Sequence, residues 1–159
     1  MKIVVGIADM KVSNKAGDVL ITYSLGSCIG LVLWDPKAKV AGMLHYMLPD
    51  PGPDKSKAQD KPLMFASSGV PALFKAAYAL GAEKSRLIVK AVGGSQVMDA
   101  AGVFNIGKRN YEILTRMFAK NNIRIAKQDI GGNVNRTVSI DVSSGITVLK
   151  VSGRGEIQL

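Results

Sequence analysis

The chain has 159 residues, 47% of them apolar and 21% charged, and carries a net charge of +9. That balance suits a single globular domain over residues 1–159, large enough to bury a core unaided, and it excludes a disordered chain. With one cysteine there is no internal disulfide, and with one histidine no Cys/His metal cluster, so neither a metal nor a cofactor is expected.

The same cysteine usage points to a reducing, cytoplasmic setting. The opening MKIVVGIADM is interrupted too early by Asp9 and Lys11 to read as a signal peptide. The longest uncharged run, Val19 to Trp34, is shorter than the ~20 residues of a bilayer span, so no membrane insertion is expected. Lysines and arginines are scattered rather than interleaved with stacking aromatics, which argues against nucleic acid. A basic surface equally steers a protein toward an acidic protein partner. No long apolar stripe is left over, and the chain reads as a monomer.

Lys2 to Met10 is rich in Ile and Val and predicts one strand. Asn14 to Asp18 is turn chemistry. Strands follow at Val19–Tyr23, Ile29–Trp34 and Val40–Met47, the last two joined by a tight connection at Asp35-Pro36-Lys37. Leu48 to Lys61 carries three prolines and several charges without periodicity, and predicts an exposed loop. Leu63 to Leu80 has helical spacing, with Pro71 marking a start or a bend and Gly81 a left-handed stop.

Leu87–Val92 predicts a buried strand ended by Gly93-Gly94. Asn105 predicts the cap of a helix running to about Asn121, with an apolar stripe of Tyr111, Leu114, Met117 and Phe118. Ile123–Asp129 and a hairpin of Arg136–Val142 with Ile146–Ser152 complete the chain. These elements predict an α+β fold of mixed, largely antiparallel strands, with about two helices packed on one side.

Chemistry concentrates at Tyr23-Ser24-Leu25-Gly26-Ser27-Cys28-Ile29-Gly30. A hairpin centred on Lys37 sets Ile29 opposite His45 and Cys28 opposite Tyr46, within the roughly 5–8 Å of cross-strand neighbours and diagonals. The only cysteine and the only histidine therefore meet at the open end of one hairpin. An imidazole beside a thiol takes its proton and activates it as a nucleophile. Thr22 or Ser24 supplies a hydroxyl to orient that imidazole. A turn at Gly26 presents the N–H groups of Ser27 and Cys28 as oxyanion donors.

The plainer reading is that Cys28 is a small buried hydrophobe and His45 a satisfied strand residue. The residues alone leave both readings open. Gly93-Gly94-Ser95 lacks the lysine and spacing of a phosphate loop and reads as close packing. Asp129 and Arg136 read as a structural ion pair beside a turn. Asp50, Asp54 and Asp60 read as solvated loop charges.

TYSLGSCIGLVLWDP (Thr22–Pro36) followed by VAGMLHYMLPD (Val40–Asp50) resembles the chemoreceptor glutamine deamidase family, CheD. The similarity continues through Gly93-Gly94, FNIGKRN (Phe104–Asn110) and DIGGNVNRTV (Asp129–Val138). The resemblance implies a three-layer α/β/β sandwich and a Cys–His–Thr hydrolase. In it Cys28 is the nucleophile, His45 the general base and acid, and Thr22 the residue orienting His45. Ser27 and Gly26 lie around the oxyanion.

The implied substrate is a glutamine side chain on methyl-accepting chemotaxis receptors, converted to glutamate with release of ammonia. Receptor methylesterase action and binding of the phosphatase CheC are further properties the resemblance implies. A rival reading keeps the fold but makes the chain a non-catalytic module that binds CheC or receptors.

Overall fold

A computed structural model describes residues 1–96 and 105–159. Phe104, at the start of FNIGKRN, lies outside the described residues. Ten strands are described: β1 Lys2–Val4, β2 Asp9–Ser13, β3 Val19–Leu25, β4 Ile29–Asp35, β5 Val40–Tyr46, β6 Ile88–Gly93, β7 Ile125–Ile130, β8 Arg136–Asp141, β9 Thr147–Val151 and β10 Gly155–Gln158. The helices are α1 Ser56–Asp60, α2 Ala66–Ala79 and α3 Ile106–Lys120.

The strands form two five-stranded sheets, one in the order β1-β3-β8-β9-β10 and the other β2-β5-β4-β6-β7. All neighbours are antiparallel except β1/β3 and β6/β7.

The strand period of two decides the layers. On β4 and β5, Ile29, Leu31, Leu33, Leu44 and Tyr46 face α2 and α3, where they meet Leu73, Phe74, Leu114 and Phe118. The alternate residues Val32, Ala41 and Met43 face the other sheet, against Leu20, Leu25, Val138 and Leu149. The β2-containing sheet is thus covered on both sides, which explains why its central strands read as continuous apolar runs. Helices, sheet and sheet make the α/β/β sandwich the resemblance implied.

Five expectations about individual elements change. The predicted loop Leu48–Lys61 holds the short helix α1. The first predicted strand is two, because the chain leaves one sheet after Val5, turns at Ala8 (φ 57) and enters the other as β2. A last strand, β10, pairs with β9 although all four of its residues are exposed. Pro71 does not start α2 but sits inside it, at an exposed position. Asn105 stands at the N-cap of α3 with a left-handed backbone (φ 49), and its side chain makes no capping hydrogen bond.

The stop after α2 is as expected. Gly81 (φ 103) donates to the Tyr78 carbonyl and Ala82 to that of Ala77, the pair of bonds that closes a helix through a left-handed residue.

The predicted hairpin register is one residue off. The loop between Asp35 and Val40 has four residues, with Lys39 left-handed (φ 55), so its centre falls after Lys37. The observed pairs are Ile29 with Tyr46 and Gly30 with His45. This shift matters because side-chain parity follows register. Gly30, and Cys28 two residues before it, take the same side of the sheet as His45, the side that faces the second sheet.

Candidate active site

Thr22 reaches this gap from the opposite sheet. It is fully buried on β3 and pairs with Val138 of β8. Between Thr22 and Leu25 the β3/β8 register slips by one residue, and Ser24 adopts a left-handed backbone (φ 57). This bulge restores Leu25 to the core face and leaves Tyr23 and Ser24 exposed. Of the two upstream hydroxyls, Thr22 is therefore the one that meets the imidazole.

The Thr22 Oγ1 lies 2.8 Å from His45 Nδ1 and donates to the Val5 carbonyl at 2.8 Å. A hydroxyl has one hydrogen. Because Val5 receives it, the oxygen accepts from the imidazole, and Nδ1 carries the ring proton. Nε2 is then the bare nitrogen. It is buried and has no hydrogen-bond partner among the described residues.

His45 is 1% exposed, and burial lowers its pKa to about 4. Cys28 is a free, half-buried thiol, and burial pushes it above its ordinary value of 9.0, partly offset by its own backbone N–H. Burial thus favours the neutral form of the thiol and of the imidazole.

The Gly26-Ser27-Cys28 turn is held by its three carbonyls. Gly26 accepts from the Ser95 N–H, Cys28 from the Gly94 N–H, both at 2.9 Å, and Ser27 from the Asn110 side chain at 3.0 Å. In a trans peptide the N–H points away from the carbonyl. The N–H groups of Ser27 and Cys28, the sequence-based oxyanion candidates, thus point away from this scaffold and donate to no backbone carbonyl among the described residues.

Behind the turn, Gly93 (φ 117) lies so close that a Cβ there would collide with the Cys28 carbonyl oxygen. Close packing is the role of Gly93-Gly94-Ser95, as expected. Arg136, 3% exposed, braces this segment, donating to the Gly93 carbonyl at 3.0 Å, Ser95 Oγ at 2.9 Å and the Gly131 carbonyl at 2.8 Å. Its Nε meets Asp129 at 2.6 Å. Burial alone would raise the Asp129 carboxyl, but Arg154 and Arg136 outweigh it and hold it below the ordinary value. The ion pair was legible in the sequence. Its link to the Cys28 turn was not.

An open groove of about 540 Å³, lined by Ile7, Ala8, Met47, Lys61, Leu63 and Met64, adjoins the end of β5. The larger cavity of about 670 Å³, lined by Phe74, Lys84, Val89 and Arg124 among others, lies at the far end of β6 and contains none of these residues. No cluster of three or more His, Cys, Asp or Glu side chains that could hold a metal is found among the described residues. None of their helices is long and apolar enough to cross a membrane.

The family profile described as CheD chemotactic sensory transduction matches residues 47–151. The chain belongs to the CheD family. It is 49% identical over 151 residues to the probable chemoreceptor glutamine deamidase CheD 1 of Syntrophus aciditrophicus, covering 95% of this chain and 94% of that one. It is 45% identical over 153 residues to the probable chemoreceptor glutamine deamidase CheD of Solibacter usitatus, covering 96% and 90%. A further CheD relative, from Anaeromyxobacter dehalogenans, is 41% identical over 143 residues. The CheD profile begins just beyond His45, whereas the full-length relatives span the Thr22–His45 segment as well.

Proposed function

We propose that this chain is a protein-glutamine deamidase of chemoreceptors, working in the cytoplasm with Cys28 as nucleophile, His45 as base and acid, and Thr22 as the group that orients His45. The observation that carries the reading is the Thr22–His45 contact, which leaves a bare, buried Nε2 on the face shared with Cys28.

A glutamine carboxamide enters beside Cys28, and the Cys28 proton passes to Nε2 as sulfur bonds to the carboxamide carbon. The carbonyl oxygen becomes an oxyanion next to the N–H groups of Ser27 and Cys28. Collapse breaks the C–N bond, and the proton on Nε2 leaves with ammonia. Water then gives a proton to Nε2 and attacks the thioester. The C–S bond breaks, glutamate is released, and the thiol regains its proton.

Concerted transfer suits two groups whose neutral forms burial favours. The groove along Ile7, Met47 and Met64 provides an apolar bed for the polypeptide that carries the glutamine. CheC is a partner this reading includes, as a second ligand of the same domain. The test is ammonia release from a chemoreceptor cytoplasmic fragment: Cys28→Ala abolishes it, and wild-type rates from Cys28→Ala would overturn the assignment.

A further inference from the structure

The β4–β5 ladder ends at the Ile29–Tyr46 pair. One step further, where Cys28 and Met47 would pair, the strands have parted. The Asn110 carboxamide fills that gap: its Nδ2 donates to the Ser27 carbonyl at 3.0 Å and to the Met47 carbonyl at 2.9 Å. Ser27 immediately precedes the thiol, and Met47 follows the imidazole by two residues. One side chain from α3 therefore spans the two segments that carry the reacting groups.

The placement of Asn110 in α3 is itself secured, because its backbone carbonyl accepts the buried Tyr46 hydroxyl at 2.7 Å. On the buried face of α3 it is followed by Leu114 and Phe118, so an apolar residue would continue the stripe. Instead a fully buried amide stands there, with Oδ1 lacking a partner among the described residues. A buried acceptor left unpaired is costly. That cost is offset by two donors that no apolar side chain supplies.

We infer that Asn110 is a positioning residue, a side-chain rung that replaces the missing backbone pair and sets the separation of Cys28 from His45. This deepens the proposed function and rests on its assignment of that pair.

The test compares wild type, Asn110→Asp, Asn110→Ser and Cys28→Ala on a chemoreceptor cytoplasmic fragment, measured well below each variant's Tm. Asn110→Asp keeps the shape and replaces the donating NH2 by oxygen; Asn110→Ser is too short to reach both carbonyls. The rung predicts kcat lowered by about a hundredfold, the cost of about 1 Å of misplacement, with KM changed by no more than about twofold. A Tm lowered in either variant with kcat of the folded protein unchanged would overturn it, since that is what a merely structural residue gives. Failure of both variants to fold would overturn it too, because a rung at the strand ends leaves both cores intact. Should Cys28→Ala retain wild-type activity, the assignment of the pair fails and the rung with it. If Cys28→Ala is inactive and Asn110→Asp retains kcat, the rung alone fails.

Discussion

His45 Nδ1 and the Thr22 hydroxyl stand 2.8 Å apart across the gap between two sheets, and the hydroxyl's only proton is committed to the Val5 carbonyl. These three residues come from β5, β3 and the crossing that follows β1. The tautomer of the single histidine is thus a consequence of how the sandwich is stacked. It leaves Nε2 free to accept the Cys28 proton.

Thr22→Val tests that orientation. It keeps the volume but removes the acceptor from Nδ1–H and the donor to Val5, leaving two buried polar groups unpaired. We expect kcat to fall by roughly 10²-fold and stability by about 1–3 kcal/mol. Thr22→Ser keeps the hydroxyl and should retain most of both. Steady-state kinetics with urea denaturation of the two variants measures this.

The neutral forms that burial favours have a signature in pH. Iodoacetamide should alkylate Cys28 slowly at pH 7, the rate climbing past pH 9 because burial raises the thiol. A preformed ion pair would instead give fast alkylation on a plateau from about pH 5 to pH 8.

Stability should carry the companion effect. The folded His45 pKa, about 4, lies below its ordinary 6.5, so between these values the unfolded chain binds more protons than the native one. This contribution is fully present above pH 6.5 and is lost as pH falls toward 4, by about 3 kcal/mol for the full gap. Thermal melts across that window should show the loss in wild type and not in His45→Gln. Asp35 acts at lower pH: burial alone would raise its carboxyl, but the Arg86 guanidinium and three backbone N–H groups hold it well below the ordinary 3.8.

The brace behind the turn makes a separate claim. Arg136→Met removes its hydrogen bonds to the Gly93 and Gly131 carbonyls and to Ser95 Oγ, and leaves Asp129 with Arg154 alone among the described residues. Breaking a buried ion pair from one side costs about 3–5 kcal/mol. Urea unfolding should show a loss of that size, with activity falling alongside because Ser95 and Gly94 hold the Gly26 and Cys28 carbonyls.

Much of this was legible before the structure. Ile29–Trp34 and Val40–Met47 were marked as strands, Leu87–Val92 as a buried one, and Gly81 as a helix end. The glycine turn at Cys28 marked the candidate site, and resemblance then pointed to Thr22, which lies against His45. The register escaped because turn centring is a one-residue question that composition does not answer, and Lys39 carries no residue-type signal for its left-handed backbone. The Val5 carbonyl escaped because a backbone acceptor has no letter of its own. Asn110 lay within the FNIGKRN motif, yet its role depends on α3 docking across β4 and β5. No local pattern encodes that.

The central claim is that Cys28 converts a receptor glutamine to glutamate. The most direct measurement is peptide mass mapping of a chemoreceptor cytoplasmic fragment after incubation with wild-type protein or Cys28→Ala. The account predicts the mass gain of an NH2-to-OH exchange at discrete glutamines with wild type and none with Cys28→Ala. The same gain at the same glutamines with both proteins would contradict it.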